Sequence, residues 1–417
     1  MTTGKSRAAA AGAQAELAAL AGCFRQAYAA RRFADALESA QQAARLAPGL
    51  AAVRCDAAAC LIELGRWDEA IAEAELALRL DSPSLAPLDA LAHAHGALGH
   101  WDEVRVWGLK ALEARAGQFG GLAPLAHDPA PLPPPPSSET RAHNVIAFSL
   151  FGGSPKYCEV AVMNAEKRAA HYPDWTCHFY LDGTVPGHVV KRLLAAGSRV
   201  FRVDDHERQW PGPMWRLIAC DAPGLHRVIF RDADSLIGAR EAGAVAEWIA
   251  SQARFHCMRD GASHTELLLA GLWGCTGGAL PPIRDLVAQF LEKPLASSHF
   301  ADQYFLRELV WPYARESLMQ HDSLFGFGDP RPFPEGPRRD DFHVGSGEGG
   351  VRTGMQADFP DGTEVVWTLF GKHPRERAVC SYAAVSQGGR IATELPRRWA
   401  RALAAGDMLV RIERAGA

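Results

Sequence analysis

Apolar and small residues recur every 34 residues over the N-terminal quarter of the chain. The segments "LGRWDEA" and "LGHWDEV" place Gly65 and Gly99 at a turn between two helices, and Pro48 and Pro83 close the second helix of their repeats. The pattern predicts three pairs of helices over residues 17–118, preceded by a disordered N-terminus at residues 1–16. Three columns hold the spacing: Phe33, Trp67 and Trp101; Ala36, Ala70 and Val104; and Ala43, Ala77 and Ala111.

The pattern then changes abruptly to a proline-rich stretch. The segment "GGLAPLAHDPAPLPPPPSSET" at 120–140 contains seven prolines, four of them consecutive. Such a composition favours an extended, semi-rigid polyproline conformation. We therefore place a linker at residues 119–141, between two domains.

Strand-like and helix-like patterns alternate after the linker. Apolar strands are predicted at 144–153, 175–183 and 198–205, with helices at 157–172 and 188–197 between them. Alternation of this kind implies an α/β domain with a mostly parallel sheet covered on both faces. We assign it to residues 142–380 and treat residues 381–417 as a C-terminal extension.

Composition and charge narrow the class of partner. The 44 basic and 48 acidic residues give a net charge of -4, so no global basic field would hold nucleic acid or an anionic membrane. No apolar stretch reaches the roughly 20 residues of a membrane span. Gln14 and Glu16 interrupt the alanines that follow the N-terminal cations, which argues against a signal peptide.

The cysteines indicate a reducing compartment. There are nine of them, an odd number without a C-x-x-C pair, and they are scattered among apolar neighbours. Cysteines of this kind are typical of reduced core residues, and they suit neither a disulfide framework nor a zinc site. The chain is expected to be cytoplasmic.

Two carboxylates follow a short apolar run in "HRVIFRDADSLIG" at 226–238. Val228, Ile229 and Phe230 predict a strand buried on both faces, so Asp232 and Asp234 would lie at its carboxyl end, where open α/β sheets bind ligands. Alternate residues of an extended chain point the same way, so both carboxylates could converge on one divalent cation. The alternative is that they only solvate a turn.

The 34-residue pattern resembles the tetratricopeptide repeat, which has small residues where paired helices touch, an aromatic residue at the turn and a terminal proline. The first copy is degenerate, with Ala30 and Arg31 where the others have Leu-Gly. The resemblance implies an all-α superhelix whose concave face binds a peptide or another partner. Alternatively, the repeats are a scaffold that helps the next domain to fold or to dimerise.

Two families place Asp-x-Asp at the end of an apolar strand. In the haloacid dehalogenase phosphatases the pair lies on the first strand of the domain, whereas here about 90 residues of predicted α/β structure precede it. In GT-A glycosyltransferases, whose Rossmann-like domain transfers sugars from nucleotide-diphospho-sugars, the pair ends a middle strand. The position in the domain favours the second family.

The order of the downstream segments is similar to that of glycosyltransferase family 8 and its relatives. A glycine-broken segment, "LLLAGLWGCTGG" at 267–278, is followed by Asp302-Gln303 at the front of a helix and by His321 in "MQHDSLFG". The resemblance implies that Asp232, Asp234 and His321 hold Mn²⁺ or Mg²⁺ against the diphosphate of a UDP- or GDP-sugar, while Asp302 and Gln303 line the reaction centre. The family's closing His-x-x-Gly-x-x-Lys-Pro is absent as such, and "HVGSGEGG" at 343–350 and "FGKHP" at 370–374 only echo it.

Further residues are candidates for contact with the nucleotide-sugar. The segment "SLFG" and Tyr157 stand where a nucleotide base would stack, Asp182 ends the second predicted strand, and Gly271 lies in the glycine-broken segment, which suits close approach of the backbone to a ligand. Arg231 would pair with an acid or a phosphate. For an aromatic residue this close to a strand, packing in the core is the alternative. The candidates are Leu150, Phe151, Gly152, Tyr157, Asp182, Arg231 and Gly271.

Taken with the resemblances, the sequence indicates a multidomain, cytoplasmic, metal-dependent glycosyltransferase. Its repeats would recruit the acceptor, a peptide, a protein or a glycan. A second hypothesis is a non-catalytic adaptor whose repeats bind a partner and whose α/β domain only senses a nucleotide-sugar. A third is a phosphohydrolase, because strand-end carboxylates alone permit that chemistry.

Overall fold

The structure is a computed structural model that describes residues 2–80, 84–295, 297–334, 343–373 and 377–416, with side chains from residue 12 onward. It divides into two compact units. The repeat unit comprises Met1–Leu122, Arg259–Leu267 and Gln320–Pro332. The α/β unit comprises Ala123–Met258, Leu268–Met319 and Phe333–Ala417. Two segments from beyond the linker therefore belong with the repeats, which a linear division of the chain does not anticipate.

Six helices form the N-terminal part of the repeat unit, in three consecutive pairs, as the 34-residue pattern predicts. The first helix begins at Thr2, so it includes the segment for which the sequence predicts disorder. Pro83, predicted to close a repeat, lies outside the described residues. The helices are α1 (Thr2–Ala29), α2 (Phe33–Leu46), α3 (Ala51–Glu63), α4 (Trp67–Arg79), α5 (Ala86–Ala97) and α6 (Trp101–Phe119).

Small residues at the repeated columns let the paired helices approach one another. Ala36, Ala70 and Val104 are completely buried, and they lie one turn into α2, α4 and α6. The aromatic column supplies the first residue of each of these helices. The residues that recur every 34 positions are therefore those at which the paired helices pack against each other.

The turn inside each pair needs a left-handed residue. Gly65 and Gly99 have φ angles of 68° and 75°, and Arg31 takes the equivalent place in the degenerate first copy with φ 56°. A side chain in this region costs roughly 1–2 kcal/mol, because the Cβ atom crowds the backbone. The first repeat therefore carries local strain that the other two lack.

We expect Arg31→Gly to stabilise the repeat unit by about 1 kcal/mol, since glycine adopts this conformation without strain. Loss of the contact between the Arg31 guanidinium and the Phe33 ring, 5.6 Å apart, offsets part of the gain. Gly99→Ala is the matched control, because its new methyl group would meet nothing within 4 Å and only the backbone strain would change. Urea unfolding should show opposite shifts for the two variants, and equal shifts would contradict the strain.

The α/β unit begins with alternating strands and helices. The predicted strand–helix order is observed up to the strand that precedes Asp232, with a 3₁₀ helix at Gly212–Asp221 before that strand. The elements of this part are β1 (Asn144–Leu150), α7 (Pro155–His171), β2 (Thr176–Leu181), α8 (Gly187–Ala195), β3 (Arg199–Arg202), β4 (Arg227–Phe230) and α9 (Ala239–Ile249).

The remaining strands of the main sheet follow α9. A helix predicted at 300–312 is observed as two short α-helices joined by a π-helical stretch at Leu306–Val310, and Pro312 lies in the first turn of the second helix where the sequence suggested a helix end. The elements are β5 (Phe255–Arg259), β6 (Trp273–Thr276), α10 (Ile283–Leu291), α11 (Ala301–Phe305), α12 (Trp311–Ala314) and β7 (Leu318–Asp322).

The seven strands form one mixed sheet in the order β3-β2-β1-β4-β6-β5-β7. The neighbours from β3 to β4 are all parallel, whereas β6 runs antiparallel to β4 and to β5. The prediction of a mostly parallel sheet therefore holds for its first half, and β6 departs from it. On β1 and β2, every second side chain enters one large apolar core: Ile146, Phe148 and Leu150 with Cys177, Phe179 and Leu181.

The C-terminal part is β-rich and shares the core of the same unit. The predicted boundary at residue 380 falls at the start of a strand, and Tyr382 donates a hydrogen bond of 2.5 Å to the buried Glu159 of α7. The elements are β8 (Gly350–Gln356), β9 (Glu364–Phe370), β10 (Cys380–Val385), β11 (Arg390–Pro396), α13 (Arg397–Ala404) and β12 (Leu409–Arg414), which form antiparallel sheets β10-β9-β12 and β11-β8.

No helix in the described ranges has both the length and the apolar character that crossing a membrane requires.

Candidate functional site

The strand order reverses between β1 and β4. From β1 the sheet continues to β2 and β3 on one side, and from β4 it continues to β6, β5 and β7 on the other. At such a reversal the connections leave in opposite directions and open a crevice beyond the carboxyl ends of the strands. Asp232 and Asp234 follow the end of β4 directly and so lie at this crevice.

The two acids share one side of the chain. Arg231, Ala233 and Ser235 are buried, whereas Asp232 and Asp234 between them are partly exposed. Burial, followed by the charge of Asp232, raises the pKa of Asp234, and the Lys156 ammonium 3.5 Å away opposes that rise. The carboxylates are therefore close enough to repel each other, as the alternating pattern predicts.

A buried arginine joins the first acid to a distant one. Arg216 lies in the 3₁₀ helix at Gly212–Asp221, and its Nη1 donates to Asp232 Oδ1 at 2.6 Å and to the Arg231 carbonyl at 2.7 Å. Its Nη2 donates to Asp302 Oδ2 at 2.8 Å. One guanidinium thus brings together two predicted site residues that are 70 positions apart in sequence.

Arg216 was missed by the sequence analysis because no local motif marks it. Its only signal is a charge inside an otherwise apolar run, "MWRLIAC". A buried charge needs a partner, so such a residue points to acids elsewhere in the fold without saying which. Burial, opposed by Arg216, raises the pKa of Asp302, with a further contribution from the charge of Asp232.

Asp302 and Gln303 both lie in α11. Phe300 is the N-cap of this helix, so Asp302 is not the capping residue. The Gln303 side chain accepts a hydrogen bond from the Ala270 backbone at 3.1 Å and donates one to the Leu268 carbonyl at 2.5 Å. Gln303 therefore fixes the loop before Gly271, while Asp302 points to Arg216.

Gly271 lies against the first acid. A Cβ atom built at this position would be 2.1 Å from Asp232 Oδ2, so any side chain would displace the carboxylate. The sequence predicted that Gly271 permits close approach of the backbone to a ligand. In the structure the group that approaches it is Asp232.

The candidates after β1 differ in their access to the crevice. Leu150 is buried in the core, whereas the Phe151 side chain is 44% exposed and lies edge-on to Trp215. Gly152 has φ 76°, and its N–H donates to Thr184 Oγ1 at 2.6 Å. Phe151 is therefore the member of this group that is free to meet a ligand.

Asp182 and Tyr157 are held by local contacts. Asp182 Oδ1 accepts a hydrogen bond of 2.9 Å from the Thr184 backbone. The Tyr157 ring packs against the apolar core and lies 4.7 Å from the Lys156 ammonium. Tyr157 therefore helps to place Lys156, which in turn faces Asp234.

Arg231 does not pair with the acid beside it in sequence. It is buried, its Nε donates to Glu241 Oε1 at 3.0 Å, and Tyr172 donates to the same oxygen at 3.0 Å. The side chain of Arg231 thus leaves the strand on the side away from Asp232. The arginine that meets the acid is Arg216.

His321 is assigned to the repeat unit, whereas Asp232 and Asp234 belong to the α/β unit. It is fully buried in β7, and the described residues contain no group of three or more His, Cys, Asp or Glu side chains that could hold a metal ion. The assignment of His321 as a third ligand beside Asp232 and Asp234 stays a prediction.

The two echoes of the family's closing motif lie in different places. Within "HVGSGEGG", Ser235 forms a bridge with Gly347, and the Glu348 N–H donates to the Asp234 carbonyl at 2.7 Å. Lys372 of the second echo pairs with Asp407 at 3.1 Å. The first echo therefore lies against the second acid, while the second packs on the C-terminal part; Pro374 lies outside the described residues.

The acids fit a divalent cation that is completed by a substrate. Carboxylate oxygens suit Mg²⁺ and Mn²⁺, and Mg²⁺ is commonly held by one or two carboxylates together with water and substrate phosphates. The mutual repulsion of Asp232 and Asp234, which contributes to the raised pKa of Asp234, is what a cation would relieve. Two protein ligands are therefore enough for a metal that binds with a diphosphate.

Comparison with known proteins carries no argument about the fold or the function of this chain. No protein-family model matches the chain, and no curated protein matches it. Among solved structures, a mutant O-GlcNAc transferase of Thermobaculum terrenum is similar over 79% of this chain and 76% of that chain, at 16% identity and a TM-score of 0.30. The structure itself defines a helical-repeat unit and an α/β unit built on a mixed sheet.

Proposed function

We propose that this protein is a GT-A-type glycosyltransferase that uses a nucleotide-sugar donor. The observation that carries the proposal is the Arg216 bridge, which holds Asp232 and Asp302 together at the carboxyl end of β4. β4 is the middle strand of seven, with three strands on each side. The resemblance to this class places an Asp-x-Asp pair, here Asp232 and Asp234, at the end of a middle strand.

Sugar transfer requires the active site to stabilise two charges, a positive one on the anomeric carbon and a negative one on the leaving diphosphate. When the bond between the anomeric carbon and the diphosphate breaks, the electron pair goes to the leaving diphosphate, and the carbon gains positive character before the acceptor oxygen bonds to it and gives up its proton to the diphosphate or to water. The Asp302 carboxylate would stabilise that carbon, since a preorganised charge acts most strongly where charge develops. Asp302 is thus the candidate catalytic residue, and Arg216 a positioning residue.

The leaving diphosphate would meet cations beside Asp234. Burial alone lowers the pKa of Lys156, but the neighbouring Tyr157 and Asp234 raise it overall, so the ammonium stays charged at neutral pH. A Mn²⁺ or Mg²⁺ ion held by Asp232 and Asp234 would supply Lewis-acid stabilisation of the same negative charge. Lys156 then contributes a second positive charge from the protein itself.

The acceptor would be recruited by the helical repeats. Stacked helix pairs present extended surfaces, and such surfaces bind peptides or proteins. A weak acceptor bound there has a raised effective concentration at a linked active site, which needs no new contact at the reacting atoms. A protein or peptide acceptor is therefore favoured, and a glycan is the alternative.

The proposal is tested by offering UDP- and GDP-sugars to the full-length protein with and without Mn²⁺ and measuring the nucleoside diphosphate released. We expect metal-dependent release from one donor, faster when the acceptor is present. Tight binding of a donor without release would favour the adaptor hypothesis. Release of phosphate from a phosphomonoester, with no release from any nucleotide-sugar, would favour a phosphohydrolase.

Metal and nucleotide should bind together. We expect Asp232→Ala and Asp234→Ala to abolish the Mn²⁺-dependent rise in melting temperature caused by UDP or GDP, because both carboxylates share the cation with the diphosphate. Asp285→Ala, which removes an exposed acid from the first turn of α10, is the control and should keep the shift. Unchanged shifts in both site variants would rule out the metal assignment.

A further inference from the structure

The two acids after β4 lie in a tight turn. The Ser235 N–H donates to the Asp232 carbonyl at 3.2 Å, which closes a four-residue turn from Asp232 to Ser235. Asp234 is the third residue of this turn. The separation of the two carboxylates therefore depends on the conformation of the turn and on the groups that hold it in place.

A buried asparagine of α7 holds the end of this turn. Asn164 is completely buried, its Nδ2 donates to the Ser235 carbonyl at 2.8 Å, and its Oδ1 accepts a hydrogen bond from the Ile237 N–H at 3.0 Å. One carboxamide thus fixes the chain at both ends of a three-residue stretch. Asn164 lies 71 positions before Ser235 in sequence, so no local motif marks it.

The two backbone groups that Asn164 satisfies lie away from water. Ser235 and Ile237 are each 2% exposed. A buried backbone donor or acceptor without a partner costs about 1–3 kcal/mol, so the chain would rearrange rather than leave both groups unpaired. Loss of the carboxamide would therefore shift the turn that carries the acids.

The same helix also faces the second acid with a charge. Lys156, about two turns before Asn164 in α7, has its ammonium 3.5 Å from Asp234 Oδ2. The Glu348 N–H holds the Asp234 carbonyl at 2.7 Å. The second acid is therefore placed through the backbone on its C-terminal side and through one ammonium group.

We propose that Asn164 is a positioning residue for the metal site, which sets the separation at which Asp232 and Asp234 can bind one divalent cation. Mg²⁺ demands oxygen ligands at about 2.0–2.1 Å, so a small shift of the turn is enough to take one carboxylate out of reach. Residues that orient metal ligands through hydrogen bonds contribute about ten- to a hundredfold to metal affinity or activity. The inference rests on the proposed use of Mn²⁺ or Mg²⁺ by this site.

The test measures how strongly Mn²⁺ promotes nucleotide binding. Isothermal titration calorimetry on the full-length protein gives the affinity for UDP and for GDP with and without Mn²⁺, and for each nucleotide the ratio of the two affinities isolates the metal site. We expect Asn164→Ala to lower this ratio about tenfold or more, at a temperature at which the variant is folded. Both carboxylates remain in the variant, so the loss reports on their placement.

Asn144 supplies a matched control. It is also completely buried, and its Nδ2 donates to the Thr140 carbonyl at 3.0 Å. It begins β1 beside Arg227, at the end of the sheet opposite to the acids. Asn144→Ala should lower the melting temperature, as Asn164→Ala does, and should leave the ratio as in the wild-type protein.

A folded Asn164→Ala protein with the wild-type ratio would overturn the proposal and leave Asn164 a purely structural role. Should Asn164→Ala fail to fold, Asn164→Asp takes its place, because the ionised side chain keeps the acceptor for the Ile237 N–H and loses the donor for the Ser235 carbonyl. A wild-type ratio in Asn164→Asp would be equally decisive against the proposal.

The calorimetry also separates this inference from the proposed function. If Mn²⁺ does not change the nucleotide affinity of the wild-type protein, the positioning role fails, and metal-independent release of nucleoside diphosphate would still support a glycosyltransferase. If the ratio falls in Asn164→Ala while no donor releases nucleoside diphosphate, the positioning role stands and the transferase proposal fails.

Discussion

Asp302→Asn is expected to lower the rate of sugar transfer by about a hundredfold or more while leaving the affinity for nucleotide and metal nearly unchanged. The substitution keeps the shape of the side chain and the acceptor for the Gln303 N–H, 2.9 Å from Asp302 Oδ1. It removes the negative charge, which matters most when the anomeric carbon becomes positive, and it also replaces the oxygen that accepts the Arg216 hydrogen bond with an amide donor. The loss should therefore appear in turnover, measured as release of nucleoside diphosphate.

A purely structural role for Asp302 would give a different result. Asp302 is 6% exposed and paired with Arg216, so a structural role would show as a lower melting temperature with unchanged turnover. Asp285→Asn is the control for loss of an acid in the same unit. A soluble Asp302→Asn protein with wild-type turnover would remove Asp302 from the reaction centre.

The acidic side of the pH–rate profile offers an independent check. Because burial raises the pKa of Asp302, the carboxylate takes up its proton at a higher pH than an ordinary aspartate. Activity that needs the ionised form should therefore fall, on acidification, above the usual range for aspartate. A wild-type profile that stays flat down to that range would contradict the need for an ionised Asp302.

The features that the sequence predicted well are those carried by local periodicity. The 34-residue columns mark the small residues that helix pairs bury, and each column needs only its own helix to be recognised. The position of Asp232 and Asp234 follows in the same way, because an apolar run fixes the strand and the strand fixes its carboxyl end. The helix pairs and the strand-end position of the two acids could both be predicted without knowledge of their neighbours in space.

The features that were missed depend on long-range packing. Arg216 reaches Asp302 across 86 positions, and nothing near either residue announces the pair. The antiparallel orientation of β6 depends on which strands become neighbours, which periodicity does not encode. Likewise, the segments Arg259–Leu267 and Gln320–Pro332 belong to the repeat unit although they follow the linker.

The segment Gln320–Pro332 packs against α6 through a single aromatic ring. Phe325 is completely buried with Val104 and Leu112, and a Cβ atom built at Gly108 would lie 2.2 Å from its ring. Gly108 is therefore required inside a helix where alanine would otherwise be preferred. The contact between Gly108 and Phe325 therefore joins a repeat helix to a segment about 200 positions away in sequence.

We expect Phe325→Ala to destabilise the repeat unit by about 3–5 kcal/mol and Gly108→Ala to destabilise it by about 1–3 kcal/mol, through a cavity and through overpacking respectively. Gly117→Ala in the same helix, where a new methyl group meets nothing within 4 Å, should instead stabilise it by about 0.5–1 kcal/mol. The double variant Gly108→Ala with Phe325→Ala should lose less than the sum of the two single changes, because the methyl group then occupies space that the ring has vacated. Urea unfolding of the four variants measures this coupling. Strict additivity, or a Gly108→Ala protein as stable as Gly117→Ala, would mean that the ring does not lie on Gly108.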